Sequence, residues 1–237
     1  MPTAPGKWTT RIAGATMVVA LLVLLAGPVT KFGLLPWQAG LGIFALAALL
    51  AGIGGLYSLV SLLRRRGGLV GMIAAAAGIA AFAVLMATVV AARAVPPIND
   101  ITTDPVNPPA FAAITTAMRG ADAAPLGYDP GFAAQQTAAY PEVRPLIVES
   151  PPDVVFPRLL AAAKAMDWEI VSSDPASGRI EATATLPWWG FKDDVVVVMS
   201  PNGNGTRVDV RSKSRVGKSD LGVNAERIQD FLGKIGG

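Results

Sequence analysis

Three uncharged apolar runs within the first 92 positions, at about Ile12–Val29, Gln38–Leu63 and Leu69–Ala92, constrain this chain more than any other feature. A helix rises about 1.5 Å per residue and a bilayer core is about 30 Å thick, so roughly 20 apolar residues suffice to cross it. The expectation is a three-span α-helical transmembrane bundle over residues 1–93. A mean hydropathy of +0.47 with only 16% charged residues agrees with an integral membrane protein rather than an ordinary soluble chain. The first run follows Lys7 and Arg11, as a secretory signal would. Its end, "LLAGPVT", is a poor cleavage site, which favours an uncleaved first span over a removed signal peptide.

Basic residues beside the spans set an orientation. Lys7, Arg11 and the cluster Arg64-Arg65-Arg66 fall on one side of a three-span arrangement, against Lys31 and Arg93 on the other. That places the N-terminus in the cytoplasm and the C-terminal domain in the periplasm of a bacterial inner membrane. Trp8 and Trp37, each just beyond a run, suit interfacial anchoring. Small residues four apart, Ala51 with Gly55 and Gly71 with Ala75, allow close helix approach within the bundle or, alternatively, in a homo-oligomer. Transporters and proton relays place ionisable residues inside their spans, and these runs hold none.

Residues 94–145, opening "VPPINDITTDPVNPPAF", are too rich in proline for a secure helix. Hydrophobic residues at intervals (Ile98, Ile101, Phe111, Tyr128, Phe132, Tyr140) mark an extended strap laid over the following domain, with a short helix at Gly131–Ala139. Residues 146–237 read as β-α-β-β-β-β-α. "RPLIVES" opens with a strand, and Val155, Leu159, Ala163 and Met166 line one face of a helix. Hairpins turn at Asp174–Gly178 and at "PNGNG", and Ala225, Ile228, Phe231, Leu232 and Ile235 form the stripe of a last helix. This is an α+β outer domain, an antiparallel sheet with two helices on one face, helix-grip-like in topology. In the strand after the first hairpin, Ile180, Ala182 and Ala184 belong to the buried face and Arg179, Glu181 and Thr183 to a wet one.

The strings "PPINDITTD", "GRIEAT", "FKDDVVVV" and above all "VDVRSKSRVGKSDLGVNAERI" closely resemble the family called domain of unknown function 1499 over roughly Pro96–Leu232. The resemblance implies membrane attachment, as in many members, and carries over no catalytic residue.

Cysteine and histidine are both absent, which removes thiolate, imidazole and most zinc chemistry. A net charge of +3 does not suggest nucleic acid binding. The tripeptide Gly217-Lys218-Ser219 invites comparison with a phosphate-binding loop, but the position five before Gly217 is Ser212, not glycine, so no nucleotide and no cofactor is expected. Gly217 and Gly222 are instead assigned to a turn, and Ser219, Asp220 or Asn224 to the cap of the last helix. Asp100, Asp104 and Asp193 can gather a divalent cation only if the strap crosses that end of the sheet, and bonds to turn amides are the simpler use. Trp188, Trp189 and Phe191 suggest an aromatic knot under the strap.

Arg207, Arg211, Lys213 and Arg215 alternate along one strand with Asp209 and share a face. That basic comb is the candidate surface for anionic lipid headgroups or an acidic envelope protein, with a solvated sheet face or a bridge to the strap as the alternatives. The functional expectation is a non-catalytic, membrane-anchored binding module in envelope organisation. The runner-up is a carrier of a lipid or apolar ligand in a cavity between helices and sheet, and an aspartate-based hydrolase comes third.

Overall fold

The computed structural model describes residues 6–236; residues 1–5 of the expected membrane region and residue 237 of the expected outer domain lie outside them. The chain forms two compact units, one running to Ala91 and taking in Pro187–Gly190, the other made of Ala92–Leu186 with Phe191–Gly237.

The first unit holds α1 (Lys7–Lys31), α2 (Trp37–Leu63) and all but the last three residues of α3 (Gly68–Ala94), each helix long and apolar enough to cross a membrane. Small residues decide how they pack. A Cβ at Gly54 would lie 2.0 Å from the Thr16 hydroxyl and one at Gly40 2.0 Å from that of Thr30, so glycines of α2 face threonines of antiparallel α1. Each of those hydroxyls donates to a carbonyl one turn earlier, Ile12 and Ala26, so neither threonine is left unpaired in the apolar seam. Gly55 meets Gly78 of α3 backbone to backbone, and a Cβ at Gly78 would fall 2.2 Å from the Ala51 carbonyl. The expected face of α2 is the one used, and on α3 the closest approach comes one turn beyond Gly71 and Ala75, which are buried on the same side.

The second unit is built on an antiparallel sheet of β1 (Asp100–Thr102), β2 (Leu146–Val148), β3 (Glu169–Asp174), β4 (Arg179–Thr185), β5 (Lys192–Asn202) and β6 (Gly205–Ser214). Its order is β1-β6-β5-β4-β3, and β2 follows β1 along the same edge of β6. Between β2 and β3 lies α6 (Pro152–Ala165), and α7 (Val223–Gly236) closes the unit. Within the strap sit two short helices, α4 (Thr116–Arg119) and α5 (Phe132–Ala139). One strap segment thus becomes a strand of the sheet, so residues 94–145 belong to the folded unit rather than forming a separate linker.

Helices α6 and α7 cover one sheet face. Val155 and Leu159 of α6 and Ile228, Phe231 and Ile235 of α7 pack against Ile180, Val195, Val197, Val208 and Val210 of the strands. Trp168 stacks on Phe231 at 4.9 Å. These side chains occupy the layer between helices and sheet, where the carrier alternative would place its cavity.

The opposite face differs from expectation. Glu181 is fully buried, as are Thr183, Asp194 and Val196, because the strap runs across them. Alternation along β4 marks two faces correctly but says nothing of what covers the second. The aromatic trio also divides: Trp189 packs edge-on against Phe44 at 5.6 Å in the first unit, and Trp188 is half-exposed there, so the pair does not lie under the strap. Gly190, at φ +72°, turns the chain back into β5.

Candidate functional site

The register of the β5–β6 hairpin sets the site. Asp194 lies opposite Lys213, and Val196 opposite Arg211, the pairing that a tight turn at the glycine–asparagine tip requires. On the far side of β6, Asp100 pairs with Lys213 and Thr102 with Arg211. Three strands thereby bring two carboxylates and two cations onto one face, beneath the strap.

This burial corrects the reading of a basic comb. Arg211, only 2% exposed, donates through Nε and one terminal nitrogen to both oxygens of Asp100, at 2.8 Å each. Its terminal nitrogens also reach the strap carbonyls of Pro109 at 3.1 Å and Leu126 at 2.8 Å. Phe111 and Tyr128 bracket its guanidinium, with ring centroids 5.2 and 5.5 Å away. Lys213 donates to Asp100 at 2.7 Å and to the Gly127 carbonyl at 3.1 Å. Arg215 joins Asp194 at 2.8 Å and the Met118 carbonyl at 3.1 Å. Arg207 is the most exposed of the four, with 36% of its side chain accessible, and lies between Asp209 at 2.6 Å and Asp104 at 2.8 Å, which hold its guanidinium firmly protonated.

The physical reason is an unmet need of the strap. An irregular segment laid on a sheet buries carbonyls and amides that no neighbouring strand satisfies. Arginine, with five donors in a fixed fork, can serve a carboxylate and two carbonyls together. Arg119 of α4 does the same from the strap side, reaching Asp194 at 2.7 Å, the Ser214 carbonyl at 3.2 Å and the Ala124 carbonyl. Glu181 accepts from the successive amides of Ala112, Ala113 and Ile114 at 2.6, 3.0 and 2.8 Å, a row of donors that suits a buried carboxylate. Gln136 of α5 both accepts from and donates to the backbone of Thr102.

Asp193 points the other way, toward the helices, and meets Arg227 of α7 at 2.6 Å. Asp100, Asp104 and Asp193 thus have separate cationic partners, and no cluster of acids suited to a metal occurs among the described residues. Sequence reasoning missed Arg119, Glu181, Gln136 and Arg227. For Arg227 a signal existed: helical spacing puts it and Asn224 on the stripe of Ile228, Phe231 and Ile235, and a buried polar residue requires partners.

At the end of β6, Gly217 and Gly222 adopt φ +90° and +86° and shape the turn. Asp220 caps α7, accepting from the amides of Gly222 at 2.9 Å and Asn224 at 3.0 Å, while Ser219 accepts from Leu221 at 3.3 Å. Burial pushes the Asp220 carboxyl up from its ordinary value, against the pull of those amides. Asn224 does not cap. Its amide is buried, accepting from Ser212 and Arg227 at 2.6 Å each and donating to Ser214 at 2.9 Å.

Beside this turn a pocket of about 690 Å³ opens between the strap and the end of β6, walled by Pro97, Pro125, Tyr128 and Phe132 with Lys213 and Lys218 at its basic side. Burial lowers the Lys213 ammonium from its usual range, opposed by Asp100. Burial and the nearby Asp100 push the Tyr128 phenol up to about 12, so it stays a neutral donor. Its hydroxyl is buried without a hydrogen-bond partner.

A family model described as "Protein of unknown function (DUF1499)" matches residues 100–235, which takes in the whole sheet, the strap from β1 onward and all but the final turn residue of α7. Among curated proteins, none matches the chain.

Proposed function

The chain belongs to the DUF1499 family of proteins of unknown function, and from that premise we propose that it is a membrane-anchored, non-catalytic binding module acting in the organisation of the cell envelope. In this reading α1, α2 and α3 span the inner membrane of a two-membrane bacterium, and the α+β unit stands in the periplasm. The lysine and arginine bias toward Lys7, Arg11 and Arg64–Arg66 supports the orientation.

One observation carries the binding role over catalysis. The buried carboxylates of the sheet are each tied down: Asp100 by Arg211 and Lys213, Asp194 by Arg119 and Arg215, Asp193 by Arg227, and Glu181 by three amides. A carboxylate whose oxygens are already taken up by cationic side chains or backbone amides has little free lone-pair capacity to offer a substrate as base or nucleophile. The same ties make a stiff platform, which suits recognition.

Reporter fusions and crosslinking test the reading together. A reporter active only outside the cytoplasm should work when fused after α7 and stay silent when inserted beside Arg65. A photoreactive residue at exposed Ile147 or Trp188 should then capture a discrete envelope component in intact membranes. The reversed reporter pattern, or hydrolytic activity of the purified chain that is lost on Asp194→Asn, would overturn it.

A further inference from the structure

The pocket beside the turn at Gly217 has features that the structural framework does not use. Tyr128 is among its lining residues, and the Tyr128 hydroxyl is buried without a partner. A buried, unpaired hydroxyl works against folding, so its presence is explained when something else completes the bond. Lys213 has given two of its three donors, to Asp100 and Gly127, and a third remains. Lys218 stands exposed at the mouth, with no ion pair among the described residues.

Charge around the pocket is also uneven. Asp100 serves both Arg211 and Lys213, so one carboxylate faces two cations. Adding Lys218 and the rim carboxylate of Asp129, which is engaged by the Gly131 amide at 2.9 Å, leaves three positive groups against two negative ones. Pro97, Pro125, Phe132 and the Tyr128 ring make the rest of the wall apolar. A volume of about 690 Å³ lies within the range of small-molecule sites.

We propose that this pocket binds a small amphipathic anion, its carboxylate or phosphate group held by Lys213, Lys218 and the Tyr128 hydroxyl and its apolar part lying against Pro97, Pro125 and Phe132. The inference rests on the binding-module reading and names the ligand class for it. The glycine–lysine–serine sequence takes part through its lysine, from a loop after an antiparallel strand, and not as a nucleotide-binding loop. A neutral phenol and two ammonium groups recognise charge without a metal, and apolar walls select for an attached carbon chain over a bare ion.

The test uses the full-length chain in neutral detergent, titrated calorimetrically with hexyl phosphate, hexanoate, hexanol and inorganic phosphate, with empty micelles as the blank. Hexyl phosphate and hexanoate should bind, inorganic phosphate more weakly, and hexanol not at all. Tyr128→Phe and Lys218→Ala should each weaken the two organic anions about tenfold, the loss of one charge-assisted hydrogen bond. Neither should lower the melting temperature, since Tyr128→Phe removes an unpaired hydroxyl and Lys218 is exposed. Binding of hexanol as tight as that of the anions, inorganic phosphate matching hexyl phosphate, absence of any binding, or affinity indifferent to both variants would each overturn the proposal. A melting temperature lowered by Tyr128→Phe with affinity unchanged would do so too, because the hydroxyl would then serve the fold. Such failures, with the reporter pattern intact, would leave the membrane placement and the binding module standing.

Discussion

Arg211 shows how much one residue can hold. Its guanidinium joins Asp100, two strap carbonyls and two aromatic rings while almost wholly buried. Breaking a buried pair from one side strands the other charge, so Arg211→Ala is expected to cost about 3–5 kcal/mol. Arg207→Ala, on the same face but partly exposed to solvent, should cost under about 1 kcal/mol. Chemical denaturation of the two variants checks the contrast, and similar losses would mean that burial does not govern the effect. Lys213 adds a pH dependence. Its folded-state value lies below the ordinary one, so between that value and about 10.5 the unfolded chain binds the extra proton, and stability rises with pH through this window. The melting temperature of the native chain relative to Lys213→Met should therefore increase from pH 8 toward pH 10.5, as differential scanning calorimetry would record. Spacing in the sequence put Arg207, Arg211, Lys213 and Arg215 on one face. It could not show that the face is buried, because Asp100, Pro109, Met118 and Leu126 reach it from about a hundred residues earlier.

Among the elements, the strap and the helix pairs carry the clearest consequences. Glu181 anchors the strap through the amides of Ala112, Ala113 and Ile114. With Glu181→Ala those amides lose their acceptor, and hydrogen exchange across 110–115 should accelerate while that of β5 and β6 changes little. Uniform acceleration throughout the sheet would show instead that strap and sheet open as one. In the first unit, Gly78→Leu would drive a side chain into the Ala51 carbonyl and Gly55 backbone. Overpacking of this kind costs about 3 kcal/mol at the upper end. The detergent-solubilised variant should melt earlier than Gly33→Ala, where no atom crowds the site and φ +72° alone resists the change. Both hairpins, α6 and α7 were readable from turn residues and apolar spacing, since those signals are local. The three-residue strand β1 was not, because proline-rich sequence around it shows no alternation and its pairing with β6 spans about a hundred residues.

For the whole molecule, the arginine cluster is the lever on the proposed orientation. Replacing Arg64, Arg65 and Arg66 together with glutamine leaves Lys7 and Arg11 against Lys31 and Arg93 and so removes the basic bias. The reporter after α7 should then lose activity in a fraction of the molecules, and full retention would assign the orientation to another determinant. The sequence alone determined that the chain divides into apolar helices and an antiparallel α+β unit, that hairpins join β3 to β4 and β5 to β6, and how β5 and β6 are registered. Each of those follows from periodicity and turn chemistry acting over a few residues. Only the tertiary structure decided which sheet face the strap covers, which carboxylate meets which cation, and that a pocket with an unpartnered phenol remains at the end of β6. Those outcomes depend on closing distant segments over one another, where buried carbonyls and charges must find partners that no local pattern records.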